Sequence, residues 1–134
     1  MTEDLLELMP FARGLGIELE SAAPAEVRGR LPWAPELCTG GGVMHGGALM
    51  AFADSLGAIC AYLNLPSGST TTTISSTTSF MRAVRGGEVA AVARPLHAGR
   101  SVVVVQTDLS DDQGRLVAQV TQNQAVLPGA ASGR

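Results

Sequence analysis

Apolar positions along the chain follow several distinct spacings. Leu5, Leu6, Leu8 and Met9 form one face of a short helix behind Thr2, Glu3 and Asp4, the order of an N-cap and an acidic first turn, and Pro10 ends it. Ile17, Glu18, Leu19 and Glu20, then Val27, Arg28, Gly29, Arg30 and Leu31, alternate with period two about a breaker at Ala22, Ala23 and Pro24. This predicts a hairpin with Glu18 and Glu20 facing Arg28 and Arg30 on a solvated outer face. Residues 32–42 hold two prolines, the sole tryptophan and three successive glycines, so an irregular loop is expected there. Residues 47–63 are apolar nearly all round, with only Asp54, Ser55 and the Tyr62 hydroxyl as polar groups, and predict a helix wrapped by protein.

The second half of the chain reads as strands. Residues 69–79 are ten serines and threonines with one isoleucine, uninterrupted by proline, which suits a strand better than a disordered linker between apolar elements. Three more strands are predicted over residues 88–96, 101–109 and 116–127, the last two joined by a tight turn at Asp111, Asp112, Gln113 and Gly114. Short connections imply that consecutive strands pair antiparallel. The whole is an α+β domain over residues 1–134: a short leading helix, two strands, one long helix and four strands.

Composition narrows the function classes. Nine basic side chains, all arginine, against twelve acidic ones give a net charge of −3 without a cationic cluster, which argues against nucleic acid or an anionic membrane surface as the main partner. Met1, Thr2, Glu3 and Asp4 do not begin a secretory signal, and a cytoplasmic protein is expected. Residues 47–63 are marginal in length for a bilayer span, contain Asp54 and lack interfacial anchors, so a buried helix is preferred to a membrane one. Cys38, Cys60, His45 and His97 have no metal-like spacing, and no metal site is expected. His97 reads as a residue that structures a strand turn, and Cys60 as core.

The segment with most chemical content is Gly42, Val43, Met44, His45, Gly46 and Gly47, opening directly into the long helix with Asp54 about two turns in. A helix start exposes unpaired N–H groups and the positive end of the macrodipole, and glycine lets a ligand atom approach them. A plain glycine turn that starts a helix has the same sequence. Asp54 is the discriminating residue, because a carboxylate in an apolar helix is costly unless it is paired, used, turned to solvent or capping a backbone group.

His45-Gly46-Gly47 followed by an acid nine residues after the histidine, in a helix between a hairpin and a run of strands, resembles the hotdog-fold acyl-CoA thioesterases of the phenylacetate-degradation (PaaI-like) type. The likeness extends through Thr78-Ser79-Phe80-Met81-Arg82, Gly86-Gly87-Glu88, His97-Ala98-Gly99-Arg100 and the closing residues 112–118. It implies an antiparallel sheet of about six strands around the long helix, and hydrolysis of an acyl-CoA or aryl-CoA thioester without a further cofactor. Asp54 is then the nucleophile or general base, the Gly46 N–H polarises the carbonyl, and His45 and Gly47 shape the helix start beside substrate. Where the family usually has Asn or Gln six residues before the histidine, this chain has Thr39, whose reach is shorter. A polar residue of the following strand often assists, which nominates Thr72 or Thr73, and Arg82, Arg85 and Arg100 are candidates for coenzyme A phosphates.

Gly46 and Asp54 on one helix are separated by about 12 Å along its axis, so one copy cannot bring both to one carbonyl. A symmetric dimer with two shared sites follows, and the family usually pairs such dimers. Two other functions fit the same architecture: a non-catalytic acyl-CoA-binding module, which could dispense with Asp54, and a hydratase or dehydratase using a histidine and an acid for proton transfer. The acyl group is not defined, since Leu49, Met50, Phe52 and Leu56 are generic pocket residues.

Overall fold

A computed structural model describes residues 2–129. The elements are α1 (Thr2–Glu7), α2 (Pro10–Leu15), β1 (Glu18–Ala23), β2 (Glu26–Pro32), α3 (Gly46–Leu63), β3 (Thr70–Phe80), β4 (Glu88–Ala98), β5 (Val102–Ser110) and β6 (Leu116–Leu127). Six antiparallel strands form one sheet in the order β1-β2-β4-β5-β6-β3, and α3 packs on its inner face, most closely on β4 and β5. Alternation places Val103, Val105, Thr107 and Leu109 of β5 inward, beside Val89, Ala91 and Ala93 of β4, all buried. From the helix side come Leu49, Phe52, Leu56 and Ile59, which complete the core.

Pro10 does more than end α1. It opens α2 at the first helical turn, where its missing N–H has no partner to lose, and Gly16 closes α2 with φ +93°. This second short helix is not visible in the apolar spacing. The Thr2 cap and its acidic turn fall outside the described side chains.

The expectation that consecutive strands pair holds for β1–β2, β4–β5 and β5–β6 and fails for β3–β4. Instead β3 pairs with β6 at one edge, and β4 pairs with β2. The reason is the segment of residues 81–87 after β3, which crosses to the β2 side. There the Val84 carbonyl accepts the Met44 N–H at 2.8 Å and the Gly87 carbonyl the Trp33 N–H at 2.9 Å. Pro95 is tolerated in β4 because β2 pairs only as far as Ala93, so no ladder bond is lost on that side.

Gly29 allows the helix to approach the sheet. An added Cβ would stand 2.8 Å from the Glu18 carbonyl oxygen and 3.1 Å from Leu56 Cδ2. On the outer face, a bulge between Leu19 and Ser21 shifts the hairpin register, so only Arg30 meets its expected partner, 3.1 Å from Glu20 as an ion pair. Arg28 turns to Glu26 at 2.8 Å, and its hydrogen bond holds the Glu26 carboxyl below the usual range.

α3 is the one described helix long and apolar enough to cross a membrane, yet ten of its residues are buried on the sheet, as a core helix requires. Its wrapping is incomplete: Gly47, Met50 and Asp54, on one helical stripe, are exposed in the single chain.

Candidate active site

The irregular loop after β2 delivers His45 to the N-cap of α3 in extended conformation, with φ −62° and ψ 136°. His45 Nδ1 accepts the Gly47 N–H at 2.7 Å. An imidazole nitrogen that accepts carries no proton, so the neutral ring holds its proton on Nε2. The Gly47 N–H is thereby engaged within the chain, whereas the Gly46 N–H has no hydrogen-bond partner among the described residues.

Gly46 opens onto a cleft of about 370 Å³ lined by Thr39, Leu49, Phe80, Met81 and Arg82 among others. Thr39 and Arg82 are thus brought to the Gly46 side. Phe80, 52% exposed, stands over the glycine: a Cβ at Gly46 would lie 3.2 Å from Phe80 Cζ. His45 lines the neighbouring groove with Cys38, Gly47 and Ala51. Leu49 reaches the Gly46 cleft and Met50 is exposed, but Phe52 and Leu56, expected as pocket residues, are fully buried core because their turns of α3 face the sheet.

Asp54 stands on α3 beside β3, outside that cleft. Its Oδ1 accepts the Thr73 hydroxyl and the Gln122 Nε2, each at 2.9 Å. Thr73 in turn accepts from Gln124 Nε2 at 2.7 Å. Thr72 points away, exposed on the opposite face of β3. No described residue donates to Asp54 Oδ2. The residues therefore form two half-sites, an N–H donor with an arginine at the start of α3 and an oriented carboxylate two turns later, which one chain does not bring together.

Gln122 and Gln124 were not among the residues nominated from the sequence. A signal was present: period-two reading of β6 places both on its inward face in line with Val120, where a polar side chain is informative.

Five arginines, Arg13, Arg28, Arg30, Arg94 and Arg115, stand within 4 Å of a carboxylate. Among the described residues Arg82, Arg85 and Arg100 do not; all three are exposed, with Arg82 and Arg85 after β3 and Arg100 in the β4–β5 turn. His97 packs over Gly99 in that same turn, where a Cβ would meet its Nε2 at 2.6 Å. No group of three His, Cys, Asp or Glu side chains that could hold a metal occurs among the described residues.

Residues 41–118, from the glycine turn through the start of β6, match the model of the thioesterase superfamily. The chain belongs to that superfamily. Its fold is the hotdog fold, a six-stranded antiparallel sheet around one long helix. The proofreading thioesterase EntH of Cronobacter sakazakii is 32% identical over 109 residues, covering 81% of this chain and 74% of the relative. The 1,4-dihydroxy-2-naphthoyl-CoA hydrolase of Escherichia coli is 29% identical over the same length, with the same coverage. Among solved structures, a thioesterase from Haemophilus influenzae superposes with TM-score 0.90 at 27% identity, over 96% of this chain and 91% of that one. The E. coli PaaI protein shares the fold with TM-score 0.86 at 22% identity, over 95% and 91% of the two chains. Hydrolysis of a thioester is the reaction class these thioesterase relatives support.

Proposed function

We propose that this thioesterase-superfamily chain hydrolyses an acyl-CoA or aryl-CoA thioester to the free acid and coenzyme A, in the cytoplasm and without a metal or cofactor. The observation that carries the reading is the Asp54 carboxylate, gripped at Oδ1 by Thr73 and Gln122 and open at Oδ2. An anion held at one oxygen presents the other in a defined direction, the requirement for a general base or a nucleophile. As general base, Asp54 takes a proton from water while the hydroxide forms a bond to the thioester carbon. As nucleophile, it forms a mixed anhydride that water then hydrolyses. In either course negative charge develops on the carbonyl oxygen, and the unpaired Gly46 N–H at the head of α3 is suited to receive it. The C–S bond then breaks and coenzyme A leaves as the thiolate, to be protonated.

Both groups act on one carbonyl only if they come from different chains. The functional unit is a homodimer in which Asp54 of one protomer faces the partner's Gly46, and two such dimers pair into a tetramer. That arrangement also covers the exposed stripe of Gly47, Met50 and Asp54 on α3. Arg82 lies on the wall of the Gly46 cleft, and neither it nor Arg100 has a carboxylate partner among the described residues; both are suited to phosphate oxygens of coenzyme A. A relative that hydrolyses a CoA thioester supports the choice of thiol.

The test is free-thiol release from acetyl-, hexanoyl-, palmitoyl- and benzoyl-CoA by the wild type and Asp54→Asn. The substitution keeps shape and removes the anion, so turnover of every accepted substrate should fall by at least ~10²-fold with the fold retained. Near wild-type turnover by the variant would sink the assignment. Absence of thiol release with retained acyl-CoA binding would favour the binding-module reading instead.

A further inference from the structure

We infer that Gln122 and Gln124 of β6 are positioning residues for Asp54, with Gly57 as the seat that holds the Gln122 carboxamide; the inference rests on Asp54 being the catalytic carboxylate proposed above. Both glutamines are fully buried, in a row that pairs with Val103 and Val105 across β5. A glutamine at such a position is expensive relative to valine unless its amide is used. Gln122 is not even fully satisfied, since its Oε1 is buried without a hydrogen-bond partner. Yet its other end is fixed, because a carboxylate oxygen only accepts, and the atom 2.9 Å from Asp54 Oδ1 must be the Nε2 donor.

Gly57 explains how the amide is held. It lies three residues beyond Asp54 on α3, on the same face. A Cβ there would collide with Gln122 Oε1 and stand 3.0 Å from its Nε2. The carboxamide thus occupies the space of the missing side chain, flat on the helix, with its N–H₂ end aimed one turn back at Asp54. No other residue type leaves that space.

Gln124 acts at one remove. Its Nε2 donates to the Thr73 oxygen at 2.7 Å, so the single Thr73 proton is turned away from it and toward Asp54 Oδ1. Its Oε1 lies 3.0 Å from the Thr71 hydroxyl, whose proton is shared with the nearer Ala125 carbonyl at 2.7 Å, so the amide direction is set by Thr73. Donors therefore run in one sense, Gln124 to Thr73 to Asp54, and meet the Gln122 donor on the same carboxylate oxygen. The carboxyl cannot rotate without breaking both bonds, and Oδ2 is the oxygen presented to water or thioester.

Two buried glutamines could instead simply tie β6 to α3, and the experiment separates the two roles. Gln122→Met and Gln124→Met keep volume and remove the amides. With the substrate hydrolysed fastest in the panel above, each should lower kcat by ~10-fold or more, with KM within about 3-fold and the thermal transition retained, since a misaimed group loses transition-state contact rather than binding. In an Asp54→Asn background the same substitutions should cost less than about 2-fold, because there is no longer a carboxylate to aim. Gly57→Ala should reproduce the Gln122→Met loss and add little to it, which keeps the question open to test if one variant does not fold. Thr73→Ser should retain turnover that Thr73→Val loses. Undiminished kcat in both Met variants, or an equal loss with and without Asp54, would overturn the positioning role while leaving Asp54 as the catalytic carboxylate. Wild-type turnover by Asp54→Asn would instead overturn the underlying reading.

Discussion

Gly46 and Asp54 stand on one helix eight residues apart, about 12 Å in axial rise, and the cleft that exposes the first does not include the second. Neither can reach a carbonyl held by the other within one chain. In the proposed dimer, mixing the inactive Asp54→Asn and Gly46→Leu variants under conditions that exchange subunits should therefore produce mixed dimers with one intact site of two. Thiol release should rise from the background of the parents to as much as about half of wild type per mixed dimer. If mass measurement confirms exchange and the rate stays at background, the two groups do not meet across an interface.

A methyl group at Gly46 would press on Phe80 Cζ at 3.2 Å. Gly46→Ala should lower turnover by ~10-fold, since displacement of the ring or the backbone misplaces the N–H donor, and Phe80→Leu in the same chain should return part of it. EDTA should leave all of these rates unchanged, with zinc adding nothing afterwards; loss on chelation and recovery with zinc would contradict metal-free hydrolysis.

Burial pushes the Cys60 thiol up to about 11, because no charged partner compensates the lost hydration of a thiolate in the core. Cys38 is half-buried at the loop before α3. At pH 8 a thiol reagent should titrate one cysteine in the native protein and two after denaturation. The sign for stability follows from the raised folded value. Below the ordinary value of 9.0 the contribution is intact, and it is lost as pH climbs from there toward 11, where the unfolded chain alone ionises. Cys60→Ala should flatten that alkaline fall in the thermal transition.

Gly29→Ala places a carbon 2.8 Å from a backbone carbonyl oxygen, which cannot swing aside as a side chain would. A loss of ~1–3 kcal/mol is expected in denaturant unfolding, with an unchanged m-value. An unaltered midpoint would mean that β1 has freedom the hairpin pairing does not suggest.

Much of the architecture was open to a reader of the amino acids alone. β6 occupies residues 116–127 as its apolar alternation predicts, and α3 starts one residue earlier than its apolar run suggested. These are local properties, set by periods of two and 3.6 residues and by caps and breakers a few positions away. The His-Gly-Gly start and Asp54 were equally legible, since a glycine-rich helix entry and an acid in an apolar helix are contiguous signals.

What the tertiary structure decided is which distant pieces meet. The strand order depends on residues 81–87 crossing the molecule, a contact between segments with no common local pattern. The choice of Thr73 over Thr72 is of the same kind. In a stretch of ten serines and threonines a single isoleucine does not fix the inner face, and a register slip of one residue would exchange the two sides. Pairing with β6 selects the inner face, placing Thr73 opposite Gln124, and alternation leaves Ile74 on the outer face at 60% exposure. Gln122 and Gln124 became visible for the same reason. Sequence assigns them to a strand, but only the packed structure shows that the Gln122 amide, seated at Gly57, ends on Asp54 and that the Gln124 amide ends on Thr73.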